Sequence, residues 1–393
     1  MKVQLKTAVW ASAMSLFFAA CQKESKQSPQ NVAASVQETS VSSKNGENKK
    51  EGENNTGHVY TLNNQVSGNE VMDFIRSSNG TLTFSAAYAT GGNGSGGGLG
   101  NQGAVVLTDD DDDMLLAVNA GSNSISSFKI NNGGLSLKST VNSGGMRPVS
   151  IAQHDDIVFV LNAGGTNNIS GFELKDNGML EAIPNSTRPL SAASTGPAQV
   201  SFVNDGKVLV ITEKATNKII TYTVNEDGIP GMMHSITSSS PTPFGFAVGK
   251  NGKVFVSEAV GGAPGASVLS SYNINDNGVI TLVDGSVGAG QSAACWVVIT
   301  NNGKFAYTTN TANNNISTFG INNAGNISVA QAISATTQAG PIDAALSRNS
   351  KFLYVLNSAA HSIQAFAVAG DGTLSPLQTV PGLQAGTNGL AAR

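Results

Sequence analysis

One phrase recurs seven times in this chain: an apolar run ending in a small polar residue, a short polar turn, then a strand that closes on an aromatic. Val118-Asn119-Ala120-Gly121 leads to Phe128, Leu161-Asn162-Ala163-Gly164 to Phe172, Ile211-Thr212-Glu213 to Tyr222, and Val256-Ser257-Glu258 to Tyr272. Thr309-Asn310-Thr311 leads to Phe319 and Leu356-Asn357-Ser358 to Phe366, while a degenerate first copy, Tyr60-Thr61-Leu62-Asn63, leads to Phe74. Successive aromatics stand 54, 44, 50, 50, 47 and 47 residues apart. A period in the forties with several short strands per unit specifies a propeller blade rather than a helical solenoid.

Residues 340–380 show one unit in full. Gly340-Pro341 opens a first strand, Ile342 to Leu346, and Arg348-Asn349-Ser350-Lys351 is a polar hairpin turn. The five-residue apolar run Phe352 to Leu356 suits a strand covered on both faces by neighbouring blades. Ser362 to Val368 alternates, Gly370-Asp371-Gly372-Thr373 turns the chain, and Leu374 to Val380 is the outer strand. The first copy, His58 to about Thr90, lacks an inner strand. Residues 387–392 follow the last copy and read as the start of one, like Gly196-Pro197-Ala198-Gln199-Val200. The expectation is an all-β, seven-bladed β-propeller of four-stranded antiparallel blades over residues 58–393, closed by its C-terminal strand so that no long edge stays open.

Ahead of it, Lys2 and Lys6 precede an apolar stretch from Ala8 to Ala20, and Phe18-Ala19-Ala20-Cys21 follows. This is the pattern of a secretory signal, residues 1–20, and it resembles a bacterial lipobox in which Cys21 is acylated. Residues 21–57 read as a disordered tether whose five lysines and five glutamates cancel. As a coil it spans roughly 35 Å. The expected location is the bacterial cell envelope, at the outer membrane or cell surface rather than the inner membrane, with the lipid as the only membrane contact. Cys295 is then the one remaining thiol, read as a buried small hydrophobe. The chain carries 22 Lys and Arg against 26 Asp and Glu, which excludes the basic face that nucleic-acid binding needs.

Antiparallel pairing brings the start of each first strand and the end of each second strand to one rim. One converging set is Gln102, Arg147, Gln199, Phe244, Trp296, Asp343 and Asn388; the other is Asn119, Asn162, Glu213, Glu258, Asn310 and Asn357. Such a funnel suits a small polar ligand, although Asn at a tight turn also serves as a local cap. Glu213 and Glu258 replace Asn with no obvious local partner and are candidates to face a ligand.

Gly196-Pro197-Ala198-Gln199, Asn204-Asp205-Gly206-Lys207, Ile211-Thr212-Glu213 and Ile219-Ile220-Thr221-Tyr222 resemble a blade of the seven-bladed lactonase family. That family includes bacterial propeller-type 6-phosphogluconolactonases and carboxymuconate lactonizing enzymes. Its blades read Gly-Pro-Arg-His, Asp-Gly-Lys, Val-Asn-Glu-Leu and Val-x-Val-Tyr, and residues 196–222 resemble it most closely. The resemblance puts the family's Glu on Glu213 and its Arg-His pair on Ala198 and Gln199. It implies hydrolysis of a small sugar or organic-acid lactone; with the basic pair replaced, Arg147 from another blade is the candidate cation and Glu213 or Glu258 the candidate base, a rearranged rather than an inherited site. Neither a cofactor nor a metal is implied.

Gly92-Asn93-Gly94-Ser95-Gly96-Gly97 fits a dinucleotide-binding spacing only formally and reads as a flexible inter-blade loop. Asp109 to Asp113 reads as a solvated turn. His58, His154, His234 and His361 fall away from the funnel. The alternative function is a non-catalytic propeller, resembling YVTN-type surface repeats, that binds a glycan, peptide or partner protein.

Overall fold

A computed structural model describes residues 56–108, 113–250 and 252–393. The signal, Cys21, the tether as far as residue 55 and four residues of the acidic run lie outside them, and Gly57, read as the end of the tether, opens the first described strand. The described chain forms seven sheets in a ring, each built from consecutive antiparallel strands. Blade 4, for example, runs Pro197–Val203, Val208–Glu213, Lys218–Val224 and Pro230–Thr237 from channel to periphery. Blade 1 departs from simple chain order. Its inner strand is Asn388–Ala392, beside Gly57–Leu62, with Val59 opposite Ala392 and Tyr60 opposite Ala391. The Arg393 amide donates to His58 O at 2.9 Å and the Thr61 hydroxyl to Gly389 O at 2.6 Å. The ring therefore closes as the surplus C-terminal strand led us to expect.

The repeated aromatics explain the packing. Phe74, Phe128, Phe172, Tyr222, Tyr272, Phe319 and Phe366 all lie on third strands, and all are buried. Each contributes about 1.5–3 kcal/mol by leaving water. The second strands are covered on both faces, as in Val208–Glu213 and Phe352–Asn357, where every residue is buried. Their continuous apolar runs follow from that double cover.

The glycine turns between third and fourth strands tie each blade to its predecessor. Gly372 sits at φ 83°, and a Cβ there would lie 2.6 Å from the Phe305 ring of blade 6. Its carbonyl accepts from the Tyr307 hydroxyl at 3.0 Å. Gly80 repeats this across the closure, accepting from the Tyr354 hydroxyl of blade 7 at 3.0 Å. Thr221 and Ser271 donate in the same way to Gly278 and Gly325, at 2.6 and 2.7 Å.

Cys295 is buried on the inner strand of blade 6.

Candidate functional site at the channel mouth

The residues that end the second strands do not line the channel; they close hydrogen bonds within and between blades. Asn119 donates to Ser124 and Ser126 Oγ at 3.2 and 2.8 Å and accepts from Asn69 Nδ2 at 3.0 Å. Asn162 donates to Ser143 O and Asn168 Oδ1 at 3.0 and 2.8 Å. Asn310 donates to Asn315 Oδ1 and Ser317 Oγ at 2.7 and 2.9 Å. Asn357 is weaker, reaching Val355 O at 3.4 Å, and its Oδ1 has no partner. These four are caps of the kind that Asn supplies at turns.

Glu213 and Glu258 play the same part with charge. The Glu213 carboxylate accepts from the Ser191 amide at 2.9 Å and from the hydroxyls of Ser191 and Thr216. Glu258 accepts from Ser238, from Ser270 at 2.7 Å and from Tyr272 at 2.8 Å. Both are 0 % exposed. Burial holds the Glu258 carboxyl above its ordinary value, although the three hydroxyl donors pull it back. The expectation that these glutamates lack local partners is therefore corrected: each carboxylate accepts from several donors within the fold.

The first-strand residues occupy two different registers. Pro148, Pro197, Pro243, Ala294 and Pro341 stand opposite the second-strand ends, each followed by a bulge. Gln199, Trp296 and Asp343 come two residues later, inside the channel wall. Gln199 Oε1 accepts from the Phe246 amide of the next blade at 2.7 Å. Asp343 accepts from its neighbour Ala344 at 2.8 Å and from the backbone of Leu390, and its burial raises its carboxyl well above the usual range. Arg147 instead precedes its proline, at the position of Gly196, Thr242, Ala293 and Gly340. All five adopt left-handed backbone, with φ 53° at Arg147. The Asn123 side chain holds the Arg147 amide there at 2.8 Å. A long side chain in a conformation that favours glycine costs about 1 kcal/mol or more, a pattern that clusters at functional positions.

Residues 98–102 plug the mouth of the ring. Asn63 to Gln65 and Asn93 pin the preceding glycine loop: Asn64 Nδ2 reaches Gly97 O at 2.8 Å and the Gly94 amide reaches Gln65 O at 2.8 Å. The loop expected to be flexible is thus bonded throughout. Gln102 then crosses the channel, donating to Val297 O at 2.9 Å. Trp296 crosses the other way, its indole N–H meeting Asn101 O at 2.6 Å. Its ring packs on Phe244, with centroids 5.0 Å apart.

Two cations converge on this plug. Arg147 Nη2 donates to Gly98 O at 3.2 Å. Lys214 Nζ donates to Gly100 O and, at 3.4 Å, to Pro197 O, and it lies 4.5 Å from the centre of the Phe244 ring. Both side chains are half-buried. Neither pairs with a carboxylate among the described residues, where the lysine ion pairs are those of Lys129, Lys175 and Lys207. Burial, reinforced by the nearby charge of Arg147, pushes the Lys214 amine down to about 7. Burial also lowers Arg147 from its ordinary value, but a guanidinium stays charged in a protein. Lys214 escaped the reading of the sequence. Its signal was a lysine directly after Glu213, where the lactonase pattern has leucine.

Of the expected site residues, the structure brings together Arg147, Trp296, Phe244 and Gln102. It leaves Gln199, Asp343 and Asn388 in the wall and turns the second-strand ends away. No trio of His, Cys, Asp or Glu side chains converges as metal ligands among the described residues. His58 pairs with Asp73 at 2.8 Å, and His154 lies by Asp155 and Asp205 on the opposite rim, beside a groove of about 960 Å³.

The ring and its plugged rim define a propeller of the lactonase type. Residues 53–188 and 271–388, roughly two thirds of the chain, match the lactonase family with a seven-bladed β-propeller, and the chain belongs to that family. The matched segments leave out blade 4, the one whose motifs resembled the family most closely, and the first two strands of blade 5, and with them Glu213, Lys214 and Phe244. Similar solved structures include a Bacteroides uniformis protein provisionally named a 6-phosphogluconolactonase: TM-score 0.68, 17 % identity, covering 85 % of this chain and 98 % of that one. The periplasmic gluconolactonase of Pseudomonas aeruginosa aligns with TM-score 0.65 and 15 % identity, over 86 % of this chain and 98 % of its own. At these identities the likeness is one of fold. No curated protein matches the chain in sequence.

Proposed function

We propose that this chain is a lactonase for a small anionic lactone, such as a phosphorylated or carboxylated sugar lactone, bound at the channel mouth. Membership of the lactonase family supports the reaction class. One observation carries the substrate charge: Arg147 and Lys214 converge on the mouth with no carboxylate to neutralise them among the described residues. In this reading Arg147 holds the anion, and the plug amides and Trp296 bound the space. The Lys214 amine takes the proton of the water that attacks the lactone carbonyl. A base is most effective when its pKa lies near the working pH, and Lys214 is held at about 7. The test compares hydrolysis of glucono-lactone with and without a 6-phosphate. A preference for the anionic substrate that disappears in Arg147→Met supports the reading; no turnover of either substrate sinks it.

A second reading has its own support. Gln102 and Trp296 bond across the mouth and fill it, which suits a propeller that binds a glycan, peptide or partner protein without turnover. Calorimetric binding of an oligosaccharide or a peptide in the absence of lactone hydrolysis would favour it. Export to the cell envelope on a lipid at Cys21 is part of the same proposal. A mass-spectrometric peptide map of the N-terminal peptide reports whether that residue carries lipid.

A further inference from the structure

Blade 1 breaks the repeat at the rim. The turn from its second to its third strand, residues 63–69, has seven residues, where blades 2, 4, 6 and 7 use four. The enlarged turn faces the Gly91-Gly92-Asn93 segment and Gln384 across a cavity of about 580 Å³. Small-molecule sites occupy roughly 300–1,000 Å³. None of the plug residues 98–102, nor Arg147 or Lys214, lines this cavity.

The floor of the cavity is fixed. Asn63 and Asn69 are buried. Asn63 Oδ1 accepts from the Glu70 and Gln65 amides at 2.9 and 3.3 Å, and its Nδ2 donates to Glu70 Oε2 at 2.6 Å. Asn69 reaches Asn119 Oδ1 of blade 2 at 3.0 Å. A buried amide thus aims the Glu70 carboxylate and leaves its second oxygen for another donor. Gln65 Nε2 donates to Ala385 O at 2.7 Å, which holds Gln384 beside the turn. A Cβ at Gly92 would lie 2.6 Å from the Asn119 side chain, so this wall is bare backbone that a ligand can approach closely. The side chains of Ser67, Asn93 and Gln384 are exposed and make no hydrogen bond among the described residues. Amides and hydroxyls both donate and accept. The lining holds no cation and no aromatic ring. An anion would meet Glu70 uncompensated, and an apolar ligand would leave these groups unpaired. A neutral molecule bearing several hydroxyls satisfies them all.

We propose that this cavity binds a neutral saccharide, whose ring hydroxyls donate to Glu70 and share the amides of Asn93 and Gln384. The site lies apart from the proposed hydrolysis and does not depend on it.

The test is hydrogen–deuterium exchange on the full chain, read by mass spectrometry, with titration calorimetry for affinity. The neutral probes are chitobiose, cellobiose, maltose and lactose. Fully deacetylated chitobiose is the cationic comparison and digalacturonate the anionic one. We expect at least one neutral disaccharide, at millimolar concentration, to protect residues 63–70 and 91–93 and to leave residues 98–102 unaltered. Asn93→Ala and Gln384→Ala should each weaken its binding about fivefold, the scale of one neutral hydrogen bond. Glu70→Gln should weaken it about tenfold, the scale of a bond to a charge; the two exposed positions decide the matter if that variant fails to fold. Silence from all four neutral probes overturns the site, as does protection confined to residues 98–102 or unchanged affinity in Asn93→Ala and Gln384→Ala. Protection by the cationic disaccharide alone overturns the saccharide class. No lactone enters the experiment, so either proposal can fail while the other stands.

Discussion

The residues that end the second strands and the cations beside the channel share one rim, yet the fold treats them differently. Glu213 is wholly buried and has three donors on its carboxylate. Lys214, the next residue, is half-buried with backbone carbonyls for partners and no counter-charge among the described residues. Glu213 is the last residue of its strand and Lys214 the first of the turn that follows. One residue therefore joins the blade-to-blade packing, and the next is released from the sheet to reach the segment at the mouth. Polarity at a rim is thus no guide to function until it is known which polar groups the fold has already satisfied.

The sharpest way to break this comparison is to neutralise the mouth. Lys214→Met or Arg147→Met should cut hydrolysis of an anionic lactone about 10²-fold or more, the range of a positioned base or an electrostatic donor, with the unfolding transition in urea preserved. The pH profile sharpens it. Lys214 is lowered to about 7, so it is increasingly protonated below that value and a free amine above it. Initial-rate measurements of kcat/KM should rise about tenfold per pH unit below neutrality and level off above it, and a profile flat from pH 5 to 8 would remove Lys214 from the base role.

The opposite member of the pair predicts the opposite outcome. Glu213→Ala leaves Ser191 and Thr216 without their acceptor and should lower the unfolding free energy by about 3 kcal/mol, given the strength of hydrogen bonds to a charge. Turnover per folded molecule should stay within about threefold. If activity collapses while urea denaturation is unchanged, the division of the rim drawn here is wrong.

Asp343 extends the test into the channel wall. Burial raises its pKa well above the ordinary 3.8, so the folded state holds a proton that the unfolded chain has lost. Its contribution is complete below the unfolded pKa and fades as pH rises through the folded one, at up to about 1.4 kcal/mol per unit. Thermal unfolding of Asp343→Asn between pH 4 and 8 should lack that slope; an unaltered slope would mean that Asp343 is ionised in the fold. The smallest effect is expected at a latch between blades. Tyr307→Phe removes the donor to Gly372 O and should cost about 1 kcal/mol with no change in turnover.

The architecture was legible because it is periodic. Seven aromatics at near-equal spacing, glycine turns at one offset and an extra inner strand after the last copy each repeat a local rule, and local rules survive in a linear string. Placement at the site was not. Arg147 and Gln199 look alike as strand openers, but the bulge after each proline puts one over the rim and the other in the wall. The donors to Glu213 stand up to 22 residues from it, and nothing in Ser191 or Thr216 announces them.

By itself, then, the order of residues determined a ring of seven antiparallel blades, its closure, and the apolar seams between them, because burial follows from strand period and hydrophobic runs. Tertiary structure alone decided the chemistry of the mouth. Gly100 meets Lys214 across 114 positions and Gln102 meets Val297 across 195. The free energy of a charge depends on what surrounds it in space. Only the closed ring brings Arg147, Lys214 and the aromatic pair around one segment, and only there does a lysine become an amine near neutral pH.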